Sequence, residues 1–310
     1  MPIRLLSLST KDIKYTLNCM NVGDLIAFSL CSKNAKNLTK ASNRKIWKIR
    51  ARVFEDGVRL DLMARRYEEA KNWDQNEVYV ILDTSSSVEM FRGYGIETWM
   101  EPEFTGTLWI AHLLSIFNES MIPVLKITGK CHMGFLNNFI FPKCQTLRFE
   151  RECSKELIEQ CVSKLSAEHV EVETSPFDVS KTLALNLKSL SLKPCFESLE
   201  NRFEVKLEDL LALNIVDLRI LAKITEKDIN RFLKLWMMSN HQFYRPKSIE
   251  LNLMERISED RILRGIKFEI LDGPRYGTLY GLKRADEKEL KVSIRSVGID
   301  RLVEIVLQFL

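Results

Sequence analysis

The sequence lacks any apolar run long enough to cross a bilayer as a helix. The longest, such as Val-Tyr-Val-Ile-Leu at 78 to 82, fall far short of the roughly 18 residues that a span requires. Near the start, a Leu-rich patch is interrupted by Lys11, Asp12 and Lys14 before the apolar region of a secretory leader develops. That pattern argues against secretion and for an intracellular protein, cytoplasmic or nuclear. Catalytic signatures are missing too. There is no Walker loop, no G-x-S-x-G elbow, no H-E-x-x-H and no kinase signature set. Gly93-Tyr94-Gly95 is a two-glycine turn without the third glycine or the strand-to-helix context of a dinucleotide site. Histidine is scarce, and the four present (112, 132, 169 and 241) stand singly, as structural residues do more often than bases. The nearest approach to a metal set is Cys131-His132 with Cys144, Cys153, Cys161 and His169. It lacks the C-x-x-C knuckle that brings two thiolates to one tetrahedral zinc. No catalytic residue, metal or cofactor is expected, and the protein is read as not an enzyme.

What the chain does contain places it among globular proteins. Its 310 residues are 45% hydrophobic and 28% charged, with room for about two domains. Seven cysteines are scattered, mostly inside apolar patterns such as Ile158, Cys161 and Leu165, as reduced and buried intracellular thiols are. Lys and Arg number 46 against 42 Asp and Glu, a net charge of +4, too mild to mark a nucleic-acid binder. The excess is unevenly spread: Lys33, Lys36, Lys40, Arg44, Lys45, Lys48, Arg50 and Arg52 meet no acidic residue between Asp24 and Glu55. This stretch reads first as a solvated face and second as the complement of an acidic partner surface. Nucleic acid is the weakest reading, because the aromatics, 9% of the chain, are not interleaved with the cations.

Helical signals come first along the chain. Ser9 precedes Asp12 at capping spacing, and Ile13, Leu17 and Met20 recur at i, i+4 and i+7. After a break at 21–23, Asp24 is placed to cap a second short helix bearing Leu25, Phe28 and Leu30 or Cys31. A third stretch, Lys33 to Lys40, offers only Ala35 and Leu38. Units of this size rarely bury enough surface to fold alone without disulfides, metals or association, so completion by another protein is expected. Between 46 and 106 the helical period fades, and 57–62, 78–82 and 96–100 look like strands. A helical stripe then follows at Trp109, Leu113, Ile116 and Phe117. Next, alternating strands start at Leu125, Leu147, Val170, Leu190, Leu218 and Ile249, with amphipathic helices around Ile158, Leu210 and Phe232 between them. A strand and a helix every 20 to 30 or so residues is the period of a leucine-rich-repeat-like α/β solenoid. An ordinary α/β domain with unequal units is the alternative. Finally, 266–271, 277–282 and 290–294, joined by the turn-rich stretch 272–277 and by 283–289, suggest an antiparallel strand cap. Leu302–Leu310 is compatible with helix or strand.

These residues carry a resemblance. Leu8, Ile13, Leu17, Met20, the Asp24-Leu25 pair, Phe28, Leu30 and Lys33 resemble an F-box, the helical module that docks onto the Skp adaptor of cullin-RING ubiquitin ligases. Ser9 stands where the family usually has Pro, and Ala35 where many members carry Trp. The phrases LIAFSLCSKNAKNL and ITEKDINRFLKLWM, with WIAHLLSIFN, resemble the nematode family that joins an F-box to an F-box-associated type 2 domain. The resemblance implies an F-box at 1–47, a connecting region at 48–106 and a substrate-recognition domain at 107–310. It implies adaptor contacts from Leu8, Ile13, Leu17, Met20, Leu25 and Leu30, and through the adaptor a cullin. The C-terminal domain would take an unknown protein substrate, making the chain the receptor subunit of an SCF-type E3 ligase. A scaffold whose F-box no longer binds the adaptor is the alternative.

Overall fold

In a computed structural model the described residues are 5–46, 48–55, 57–63, 77–83, 87–92, 95–100, 104–131, 134, 136, 140–173, 179–193, 202–238, 245–254, 257–271, 277–297 and 302–310. The chain divides into two compact units, 1–147 with 163–166, and 148–162 with 167–310.

The first unit opens on a short 3-10 turn (Leu5–Ser7) and three helices, α1 (Thr10–Cys19), α2 (Val22–Leu30) and α3 (Lys33–Ser42). Each helix begins at a side-chain cap that satisfies an otherwise orphaned backbone N–H. The Ser9 hydroxyl accepts from the Asp12 N–H, the Asn21 carbonyl oxygen from the Asp24 N–H, and the Ser32 hydroxyl from the Ala35 N–H. Asp24, expected as the second cap, therefore lies inside the first turn of α2, and Asn21 does the capping. Asn43, at φ 55°, closes α3 in the left-handed conformation that Asn adopts more readily than most residues.

A meander of antiparallel strands follows: β1 (Lys48–Val53), β2 (Gly57–Met63), β3 (Glu77–Asp83), β4 (Ser87–Arg92) and β5 (Gly95–Met100). Helix α4 (Gly106–Ile116) then returns the chain so that β6 (Ile122–Ile127) runs parallel to β1. The expected strands at 57–62, 78–82 and 96–100 are β2, β3 and β5; β1 and β4 were not anticipated. In β1 the alternation is present, Ile49, Ala51 and Val53 buried against Lys48, Arg50 and Arg52, but its charge density masked it. The division between the units falls within β7 (Cys144–Phe149).

In the second unit, strands alternate with helices: α5 (Lys155–Lys164), β8 (Ala167–Val172), α6 (Ser180–Leu183), β9 (Ser189–Leu192), β10 (Phe203–Glu204), α7 (Leu207–Leu211), β11 (Asp217–Lys223), α8 (Glu226–Met238) and β12 (Ser248–Leu253). Strands β8, β9, β11 and β12 are parallel neighbours in chain order, while β10 pairs with β11 off that path. Period-two alternation puts Val170, Val172, Leu190, Leu192, Leu218, Ile220, Ile249 and Leu251 into the core. Helical residues Ile158, Cys161, Leu183, Leu210, Ile229, Phe232, Leu233 and Trp236 are buried as well. Each fully enclosed Leu or Ile contributes about 1.5–3 kcal/mol.

A short helix, α9 (Glu259–Ile262), leads to β13 (Glu269–Leu271), β14 (Thr278–Lys283), β15 (Glu289–Val297) and β16 (Leu302–Phe309), all antiparallel. The ambiguous last residues are strand. Their local pattern does not decide this, but their position does, because β16 is inserted between β12 and β15, with Ile305 opposite both Leu251 and Ile294. The architecture is mixed α/β, with an N-terminal helical unit and sheets that combine parallel and antiparallel strands.

Candidate functional site

Two surfaces bear on function. The first is the helical unit. Leu17 and Leu25 have no exposed surface and Ile13 is 6% exposed, so the apolar stripe of α1 and the inner face of α2 point into the protein itself. Leu8, Met20 and Leu30 are half-buried. Leu6 and Tyr15, 53% and 73% exposed, are the more open large side chains here; neither was marked in the sequence, because each stands off the stripe. In α3 the inward residues are Ala35, Thr39 and Ser42, spaced i, i+4 and i+7. An apolar count misses two of them. The Ser42 hydroxyl donates to the Thr39 carbonyl at 2.6 Å, which satisfies it inside the bundle.

The chain supplies part of the cover expected from another protein. Helices α2 and α3 pack against α4, and α2 also against β3. Ile26 is fully enclosed. At the seam the Ser29 hydroxyl donates to the Ile26 carbonyl at 2.6 Å and lies 2.8 Å from Nε2 of His112 on α4. With the hydroxyl proton directed to Ile26, Nε2–H of His112 is the donor to Ser29, and the other ring nitrogen, Nδ1, has no hydrogen-bond partner. Burial pushes the His112 pKa down to about 4, and the nearby Lys36 charge adds to the effect. The ring is also set edge-on to Phe104 and Trp109, 5.8 and 6.4 Å between centroids. At the other end of α4, the Asn118 amide donates to the Lys40 carbonyl at 3.0 Å, and Arg44 donates to the Asn18 carbonyl.

The second surface is the open face of the parallel strands in the second unit. Residues alternating with the core form a cross-strand row in which Glu171, Ser191, Arg219 and Glu250 stand opposite one another. Arg148 donates to Glu171 at 2.7 Å and Arg219 to Glu250 at 2.7 Å. Between these ion pairs the short side chains of Ser189 and Ser191 leave a depression of about 540 Å³. His169 sits beside it, Nδ1 2.7 Å from the Ser189 hydroxyl. The face offers donors, acceptors and paired charges in extended rows, which suits noncovalent recognition of a polar chain.

Among the described residues no group of three or more His, Cys, Asp and Glu is placed to hold a metal ion. Burial raises the thiols of Cys131 and Cys144 to about 11, which keeps them protonated and poor ligands. Cys153 and Cys161 are also buried, whereas Cys19 and Cys31, read from the sequence with the buried set, are exposed. His132, Cys195, His241 and the turn residues Gly93 and Tyr94 lie outside the described residues.

No curated protein and no solved structure matches the chain. Two family models do. Residues 178–243, which include β9, α7, β11 and α8, match a family described as F-box associated, and residues 5–47, the three-helix unit, match the F-box domain.

Proposed function

We propose that this chain is a substrate-recognition subunit of an SCF-type E3 ubiquitin ligase. The observation that carries the reading is the presence, in one chain, of an F-box match on the capped three-helix unit and an F-box associated match on the strand-and-helix array. In this reading the segment 1–47 docks a Skp adaptor and, through it, a cullin. The segment 48–106 connects, and 107–310 receives a protein substrate. Leu8, Met20 and Leu30 retain exposed surface and make the direct adaptor contacts, while Ile13, Leu17 and Leu25 hold the face in shape from behind. The order of β8, β9, β11 and β12, parallel and sequential with helices between them, supports a leucine-rich-repeat-like array that presents its polar row to the substrate. The chain performs no chemistry. It raises the effective concentration of a substrate lysine near a charged ubiquitin-conjugating enzyme, and it works inside the cell, in cytoplasm or nucleus.

Co-expression with a Skp adaptor, followed by size-exclusion chromatography and a binding titration, tests the reading. A soluble one-to-one complex is the expected result. Absence of a complex at micromolar concentration overturns it in favour of a second reading, a non-enzymatic scaffold with a degenerate F-box. One feature favours that alternative: Ala35, at a position where many F-boxes carry Trp, is 1% exposed, so no large side chain is offered to a partner there.

A further inference from the structure

The depression on the open face of the second unit holds a carboxylate that the fold leaves uncommitted. One cross-strand row on this face runs His169, Ser189, Asp217, Ser248 and Gln308, from β8 to β16. The neighbouring row, Glu171, Ser191, Arg219 and Glu250, is neutralised internally, Glu171 by Arg148 and Glu250 by Arg219, each at 2.7 Å. Lys188, whose carbonyl accepts from the Asp217 N–H, gives its ammonium to Glu168 at 2.6 Å. Lys193, the remaining cation on the lining, lies four residues beyond Ser189, about 13 Å along extended backbone. The Asp217 side chain is exposed on the lining and has no ion-pair or hydrogen-bond partner among the described residues. On either side of it the adjacent strands, about 4.8 Å away, carry only the short hydroxyls of Ser189 and Ser248. Ser189 lies 2.7 Å from Nδ1 of His169. With its proton directed to that nitrogen, the oxygen keeps lone pairs to accept from a cation. An entering cation thus meets one full negative charge flanked by two acceptors, between walls whose own charges are cancelled.

We infer, on the reading of this face as the one that receives a protein substrate, that the depression takes a lysine or arginine side chain of an extended segment. Its charge rests on Asp217, and its N–H groups are shared with the Ser189 and Ser248 hydroxyls. A basic side chain fits better than an acidic or phosphorylated one, because Arg148 and Arg219 already hold carboxylates that a second anion would have to displace. The volume, about 540 Å³, is in the ordinary range of binding pockets. The chain as a whole carries a net charge of +4, so long-range attraction does not favour a basic segment, and capture comes from the local contacts.

The test is fluorescence anisotropy with the full chain and three labelled peptides of equal length, in which Ser alternates with Lys, with Gln or with Glu. The lysine peptide is expected to bind, and to weaken about tenfold on going from low to moderate ionic strength. A similar loss of about tenfold, equal to 1.4 kcal/mol, is expected in an Asp217→Asn variant with an unchanged thermal midpoint, while an Asp217→Lys variant is expected to prefer the glutamate peptide. If either variant misfolds, the comparison of the lysine and glutamine peptides on the unaltered chain decides. Equal binding of those two peptides, salt-independent binding, full affinity in Asp217→Asn or no binding overturns the inference. Tighter binding of the glutamate peptide by the unaltered chain overturns it in favour of an anion site at Arg148 and Arg219. Adaptor binding is scored separately: its absence counts against the ligase reading and leaves this site standing, whereas failure of the peptide alone counts against the site and leaves the ligase reading.

Discussion

His112 links titration to folding. Its pKa is held at about 4 in the folded protein against 6.5 for an ordinary histidine, so between these values the unfolded chain binds a proton that the native state refuses. Stability is therefore complete above pH 6.5 and falls as pH drops toward 4. Urea denaturation at pH 7.5 and pH 5 is expected to differ by roughly 2 kcal/mol from this group, a difference that a His112→Gln variant loses. Gly277 is a second single-residue constraint. A Cβ there would lie 2.8 Å from Cβ of Arg295 and 2.9 Å from the Ile294 carbonyl oxygen. Gly277→Ala is expected to cost about 1–3 kcal/mol by crowding β15, measured as a lowered thermal midpoint.

At the scale of the element, burial separates the residues of the helical unit into two roles that a common apolar pattern had merged. Met20→Asp alters a half-buried side chain at the end of α1 and is expected to weaken adaptor binding while the far-ultraviolet spectrum stays the same. Leu17→Asp puts a charge at a position with no exposed surface. It is expected to melt the unit and so to lose adaptor binding and helical signal together. Wild-type affinity in Met20→Asp would assign the docking face elsewhere on the unit. Capping chemistry was legible at Ser9, whose hydroxyl accepts from the Asp12 N–H, because the partner lies three residues away. The inner stripe of α3 was not, because Thr39 and Ser42 are buried by tertiary neighbours despite being polar. Strand β1 escaped for a related reason: half of its residues are cations whose common face shows only when β2 and β6 are alongside.

For the whole molecule, the helical unit is joined to the rest of its compact unit by the Ser29–His112 contact and by the Asn118 amide, which donates to the Lys40 carbonyl of α3. An isolated 1–47 peptide is therefore expected to show little stable helix by circular dichroism, whereas the intact chain shows it without any partner. Strand β16 is the corresponding keystone of the second unit. Removing 302–310 would strip the buried Ile305 and Leu307 from the core and leave β12 and β15 each unpaired along one edge, while β11 and β14 still hold their other edges, so the truncated chain is expected to aggregate. The sequence by itself determined the periodicities, hence the strands starting near Leu125, Leu147, Val170, Leu190, Leu218 and Ile249 and the helices between them. It also held the resemblance at both ends of the F-box and F-box associated pairing, since these features reside in side chains a few positions apart. Tertiary structure alone decided that Leu302–Leu310 is a central strand, that Leu17 and Leu25 face inward, and that Asp217 stands between Ser189 and Ser248. Each of these depends on residues distant in sequence whose pairing no local window records.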